Sequence, residues 1–216
     1  MTIPRNSGHP EYHAQYSTVI TDDLKWEKNT EKIIKEANKR MFFLHKLSRF
    51  TKSKVDLKKI YILQIRSKLE QSAVLWHSSI TKKCEVNLER VQKSALKIIL
   101  GDKYVDYDNA LKVLNLQSLR ERREDLCFKF ARKCLQVPKL KKMFPRSHHD
   151  HDMSKRRSES FIVKRGLTER LRRSAIPHMQ RLLNKHEREK KEVLKQINDF
   201  KPVNNGLPCK SVSLRH

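Results

Sequence analysis

Only four glycines occur in 216 residues, at Gly8, Gly101, Gly166 and Gly206. They lie too far apart to build a glycine-rich loop around a phosphate, which excludes nucleotide sites of that kind. Proline is missing from residues 11 to 137, a stretch with one glycine and much Lys, Leu, Glu, Arg and Ile. Such a stretch favours helix and lacks the punctuation of a β protein. The four cysteines, Cys84, Cys127, Cys134 and Cys209, include no Cys-x-x-Cys pair. Reduced thiols in a nuclear or cytoplasmic protein are the simplest reading. No apolar run approaches the ~18 residues needed to cross a bilayer. Met1 to Arg5 opens no apolar core of a secretory signal.

Acid is the scarce charge. Asp and Glu number 24 against 49 Lys and Arg, a formal net charge of +25. That excess implies an anionic partner, with nucleic acid first and an anionic membrane second. With 37% hydrophobic residues and 7% aromatics, the composition falls between a globular and a disordered chain.

Periodicity places the elements. Thr18, Val19 and Ile20 make 16 to 20 a candidate short strand. Asp22 and Asp23 form an adjacent acidic pair before a long amphipathic segment. A polymerase centre needs such carboxylates with a third acid and a hairpin to present them. Here the pair reads as the cap of a helix over 24 to 47, whose stripe is Trp26, Ile33, Ile34, Ala37, Met41 and Leu44. A second helix is expected over 54 to 76, with Leu57, Tyr61, Ile65, Leu69 and Ala73 four apart. A third covers 82 to 99 and stops at Gly101. A short one covers 107 to 114, and Ser118 with Glu121 forms a capping box for a helix over 119 to 136. Pro138 ends the regular region. The last helix is expected over 179 to 200, with a polar middle that breaks its stripe.

The expected fold is therefore all-α: a bundle of four to five helices over 24 to 137, with irregular residues 1 to 23 before it. A basic, flexible linker over 138 to 175, a helical segment over 176 to 200 and a disordered tail over 201 to 216 follow. Residues 24 to 138 carry 27 positive and 13 negative groups, and residues 139 to 195 carry 18 and 7. Residues 139 to 195 are thus the more basic per residue.

Several blocks in order carry a resemblance. They are Asp22-Asp23-Leu24-Lys25-Trp26, Ile33 to Arg40, Leu44 to Leu47, and Ile65 to Glu70 with Trp76-His77-Ser78. The most specific is Leu88-Glu89-Arg90-Val91-Gln92-Lys93-Ser94-Ala95-Leu96-Lys97-Ile98-Ile99. Ser118 to Arg123 and Ser174 to Asn184 complete the set. Together, over about residues 16 to 184, they resemble the region C-terminal to the polymerase core in jockey-type non-LTR retrotransposon reverse transcriptases. The resemblance implies a truncated, non-catalytic piece, or else a fragment of an active RNA-directed DNA polymerase whose catalytic core is missing from this chain, because the family's Phe/Tyr-x-Asp-Asp turn has no counterpart here. The chain departs from the family at Tyr16-Ser17, Ser67 and Gln71. Surfaces that the family packs against the palm would face water, which favours association with a protein partner or with itself.

Each candidate site has a plain alternative. His148, His149, Asp150, His151 and Asp152 offer five metal donors, but without cysteine or structured spacing they read as a solvated run. Cys127 and Cys134 share a helix face and read as buried apolar residues. Trp26 and Trp76 could stack on bases, yet both fall on apolar stripes and read as core. No cofactor motif is present. The candidate contacts to RNA or DNA phosphates are Arg120, Arg122 and Arg123, then Lys155, Arg156, Arg157, Lys164, Arg165, Arg170, Arg172 and Arg173. Their plain alternative is a solvated basic surface. Lys155 to Arg157 also has the composition of a nuclear import signal.

Overall fold

A computed structural model describes residues 18–21, 25–146, 161–163 and 166–199 of the chain. Helix α1 is Glu27–Phe50. Helix α2 runs without a break through Lys54–Ile60, a π-helical Tyr61–Arg66 and Ser67–Leu69. Helix α3 is Ala73–Trp76, followed by a 3-10 turn at His77–Ser79. Helix α4 is Lys82–Leu100, α5 is Tyr107–Val113 and α6 is Leu119–Gln136. Helices α7, α8 and α9 are Pro138–Lys141, Glu169–Arg172 and Ala175–Asp199.

The chain is all-α among its described residues, but it has nine helices rather than the expected four to five. Three local causes account for the difference. Ser72 takes a left-handed backbone, φ 53°, and splits the expected helix over 54 to 76 into α2 and α3. Pro138 occupies the first turn of α7, where its missing N–H is no loss, so it starts a helix instead of ending order. Thr168 caps a short α8 by accepting from Leu171 N. The expected strand does not form at Thr18 to Ile20, which are irregular; Val19 N donates to the buried Asn29 Oδ1 at 3.0 Å. Tyr16, Ser17, Asp22 and Asp23 lie outside the described residues.

Helix α1 starts at Glu27 rather than at 24, behind Trp26, which makes no side-chain cap bond, but several other helix ends follow their sequence. Ser53, Thr81 and Asp106 each accept from the backbone N–H three residues on. Ser118 and Glu121 form the reciprocal capping box. Gly101 turns the chain at φ 56° directly after α4. Asn115, also left-handed, closes α5 with a Schellman pair, Leu116 N to Leu111 O and Asn115 N to Lys112 O.

Two apolar cores result. The first joins α1 to α5 and the start of α6 through Leu44, Tyr61, Ile65, Leu69, Trp76, Leu88, Leu96 and Leu119. Each large side chain buried there contributes about 1.5–3 kcal/mol. A polar relay crosses it: Tyr61 Oη donates to Gln92 Oε1 at 2.7 Å, and Gln92 Nε2 donates to Gln117 O at 2.9 Å. Burial raises the Tyr61 phenol well above its ordinary range, so it stays a donor. The second core joins Cys127, Ala131 and Cys134 of α6 to Phe144, Phe161 and Met179 and Leu183 of α9. Both cysteines are thus packed, and burial pushes the Cys127 thiol up to about 12. Asn184 completes this docking: it accepts from Phe161 N and donates to Phe161 O, each at 2.9 Å.

Candidate nucleic-acid interface

Six of the eleven basic residues singled out from sequence are described. Lys155, Arg156, Arg157, Lys164 and Arg165 lie outside the described residues, as does the His148 to Asp152 run.

The structure separates those six. Arg123 is fully buried. Its Nε donates to His77 Nδ1 at 3.2 Å, and its guanidinium lies 5.8 Å from the Trp76 ring centre. It is therefore closed to a phosphate. The reason is helical phase: Leu119, Arg123, Cys127, Ala131 and Cys134 form the buried stripe of α6. Arg122 is half-buried and holds Glu70 at 3.1 Å, a carboxylate that Arg66 also meets at 3.5 Å. Arg120 is exposed but lies between Glu85 at 3.4 Å and Glu124 at 3.7 Å.

The C-terminal group is equally engaged. Arg172 pairs with Glu169. Arg173 pins the start of α9 onto the 3-10 turn, donating to Ile80 O at 2.8 Å and Ser78 O at 3.4 Å. Ser79 Oγ returns a bond to Arg173 O at 2.9 Å. Arg170 alone of the six has no ion pair or hydrogen bond to another described residue; it is exposed at a shallow cleft beside Lys25 and Trp26. Trp26 packs partly against the first core and Trp76 is fully buried, its Nε1 donating to Gln71 O at 2.9 Å.

A different surface carries the unopposed charge. From Leu126 to His149 the chain has no Asp or Glu and seven basic residues. Lys129, Arg132 and Lys133 fall on the face of α6 opposite its buried stripe, and Lys139, Lys141 and Lys142 continue along and just past α7. All six are exposed, and among the described residues none is ion-paired. The seventh, Arg146, reaches Glu187 at 3.4 Å. Lys129, Arg132 and Lys133 line one side of a groove whose other side is Glu70, Ser72 and Ala73, with the exposed Phe130 beside them.

A second groove runs between α1 and α4. Lys35, Asn38 and Lys39 face Asn87, Arg90 and Ser94 across it. Sequence reading missed both sets because it weighed runs of adjacent arginines. The signal was the spacing 129, 132, 133 inside an acid-free window.

Among the described residues, no group of three or more His, Cys, Asp or Glu side chains is placed to hold a metal ion. No helix of the described residues is long and apolar enough to cross a membrane. No family model, curated protein or solved structure matches the chain.

Proposed function

We propose that this chain is a non-catalytic, retrotransposon-derived reverse-transcriptase fragment that binds RNA or DNA through phosphate contacts, without reading base sequence. The observation that carries the binding is the row Lys129, Arg132, Lys133, Lys139, Lys141 and Lys142, exposed and without ion pairs among the described residues. Cations already held by carboxylates gain little from a phosphate. Cations that no carboxylate holds release the condensed counterions of the nucleic acid when they bind. Gln136 and Ser72 border the row and add hydrogen-bonding capacity, while Glu70 across the groove has its carboxylate held by Arg122 and Arg66.

The ordered blocks from Asp22 to Asn184 support the ancestry.

The test is fluorescence anisotropy with a mixed-sequence duplex and its single strands across a salt series. Affinity should fall steeply with salt and vary little with sequence. Replacing Lys129, Arg132 and Lys133 together by Gln should weaken binding and flatten the salt slope by about 0.9 for each phosphate no longer neutralised. Absence of binding at low salt, or binding indifferent to salt, overturns the proposal. A stoichiometric protein complex that survives nuclease treatment would instead favour a helical protein-interaction module.

A further inference from the structure

Helix α1 presents two faces of different chemistry. Its buried face is aliphatic, with Ile33, Ala37 and Leu44 in the first core. Its solvent face carries Lys35, Lys39, Phe42, Phe43, Lys46, Arg49 and Phe50 within an arc of about 120°, taking 100° per residue. The three phenylalanines are far from buried: Phe42 is 64% exposed, Phe43 55% and Phe50 86%. Large aromatic rings left in water along one helix ridge demand an explanation that a scattered exposed residue does not.

Their surroundings narrow the occupant. Between Glu36 and Asp56 the chain has no acid and six basic residues, Lys39, Arg40, Lys46, Arg49, Lys52 and Lys54. Arg40 is spent on the fold, donating to Gln64 O at 2.7 Å. Lys35, Lys39 and Arg49 are exposed and not ion-paired among the described residues. Lys46 lies over the Phe42 ring, 4.8 Å from its centre. The central zone of a protein interface is depleted of charged residues, lysine among them. Rings alternating with unopposed cations instead match a strand whose bases are free to stack and whose phosphates need neutralising. Lys35 and Lys39 also line the groove between α1 and α4 together with Glu31, and Arg90 on its other wall extends the cationic track off the helix ridge.

We infer that the solvent face of α1 is a stacking platform for single-stranded nucleic acid, with Phe43 and Phe50 taking bases and Lys35, Lys39, Lys46 and Arg49 following the backbone. This deepens the proposed phosphate binding, on which it rests, by naming the strand state of the ligand. Phe43 and Phe50 stand two turns apart on one ridge, about 10 Å along the axis, which lets each ring serve a separate base. A paired duplex has its bases stacked inside and offers these rings nothing.

The experiment compares a labelled oligothymidylate with a duplex of the same length, using the full chain. Replacing Phe43 and Phe50 together by Ala should weaken oligothymidylate binding by about tenfold or more and leave duplex binding within about twofold. Both side chains are exposed, so the fold should survive, and circular dichroism checks that it does. Phe→Leu at both positions should lose as much as Ala, because leucine is apolar without a π-face. Phe→Trp should bind at least as well, with indole emission quenched on binding. Leucine variants that bind like the parent overturn the platform. So do equal losses for strand and duplex, or parent chains that self-associate through Phe43 and Phe50 while nucleic-acid affinity stays unchanged. If the α1 variants are silent while the Lys129, Arg132 and Lys133 variant still loses duplex affinity, the platform fails and the phosphate surface stands. If neither ligand binds at low salt, both fail.

Discussion

Arg123 Nε donates to His77 Nδ1 at 3.2 Å inside the junction of α3, α6 and α9. An imidazole that accepts from a guanidinium must be neutral at that nitrogen. Burial first, then the charge of Arg123, pushes His77 down to about 3. His178 lies edge-on to it, ring centres 5.6 Å apart, and burial with Arg181 nearby pushes it down to about 4.

Both histidines therefore bind protons more readily unfolded than folded. Their neutral packing is fully present above the ordinary value of 6.5 and is lost as pH falls towards about 3–4. The two titrations together should make the chain about 4 kcal/mol less stable at pH 5 than at pH 7, about 2 kcal/mol from each histidine, read by urea unfolding. His77→Gln keeps an acceptor for Arg123 and removes one titration. Its pH profile should be the flatter of the two, and a profile as steep as the parent's would show that His77 is not the group responsible.

Arg123 itself is a buried charge with no carboxylate in direct contact. Its Nη1 and Nη2 have no partner among the described residues. Burial presses its charge down, and the more distant Glu89, Glu85 and Glu70, with a smaller contribution from Cys127, favour it. Replacing a buried charge by an apolar side chain of similar volume is often neutral or stabilising. Arg123→Met should unfold at the same or higher urea, by up to about 2 kcal/mol, with duplex affinity unchanged. A loss beyond about 1 kcal/mol would mean that the guanidinium supports the junction more than its contacts indicate.

The sequence made some of this readable and hid the rest for local reasons. Ser118 with Glu121 and Gly101 are chemical signals confined to a few residues, and the structure uses both as read. Ser72 carries no such signal. The left-handed serine between Gln71 and Ala73 precedes Trp76, which lies in the same core as Tyr61, and no local pattern announces it. Arg123 was legible in part. Cys127 and Cys134 share a helix face, and Arg123, four residues before Cys127, falls on the same buried stripe. Adjacency to Arg120 and Arg122 masked that phase. The unopposed row from Lys129 to Lys142 was present in the charge pattern, but only the fold tells which arginines already have partners.

Glu89 of α4 holds the start of α6 from outside that helix. It accepts from Arg120 N at 2.8 Å, Leu119 N at 3.3 Å and Tyr107 Oη at 2.6 Å. A carboxylate there satisfies two orphan N–H groups and suits the positive end of the helix. Glu89→Ala should cost about 3 kcal/mol, since it strands three donors at once. Tyr107→Phe should cost about 1 kcal/mol. The double variant should cost less than the two added together, because both remove the same bond, and strict additivity would deny the coupling.

Asn184 closes α9 onto the rest of the chain as a surrogate strand would, pairing both the N–H and the carbonyl of Phe161. Asn184→Ala leaves those buried groups unpaired and should cost about 2–3 kcal/mol. The loss should be local. Amides of α9 around Met179 and Leu183 should exchange faster with solvent, while those around Leu88 and Leu96 keep their protection. Uniform acceleration across both cores would mean that they unfold as one unit.

Arg122 and Lys133 both stand on α6, yet the fold gives them opposite fates. Arg122 holds Glu70 at 3.1 Å, while Lys133 faces water with no ion pair among the described residues. Arg122→Gln should leave the salt slope of nucleic-acid binding unchanged and cost stability by about 1 kcal/mol, because Glu70 keeps Arg66 and loses one partner. Lys133→Gln should do the reverse. It should flatten the slope by about 0.9 and leave the unfolding midpoint in place. A salt slope that responds to Arg122 and ignores Lys133 would move the phosphate surface to the N-terminal end of α6, where the run of adjacent arginines lies.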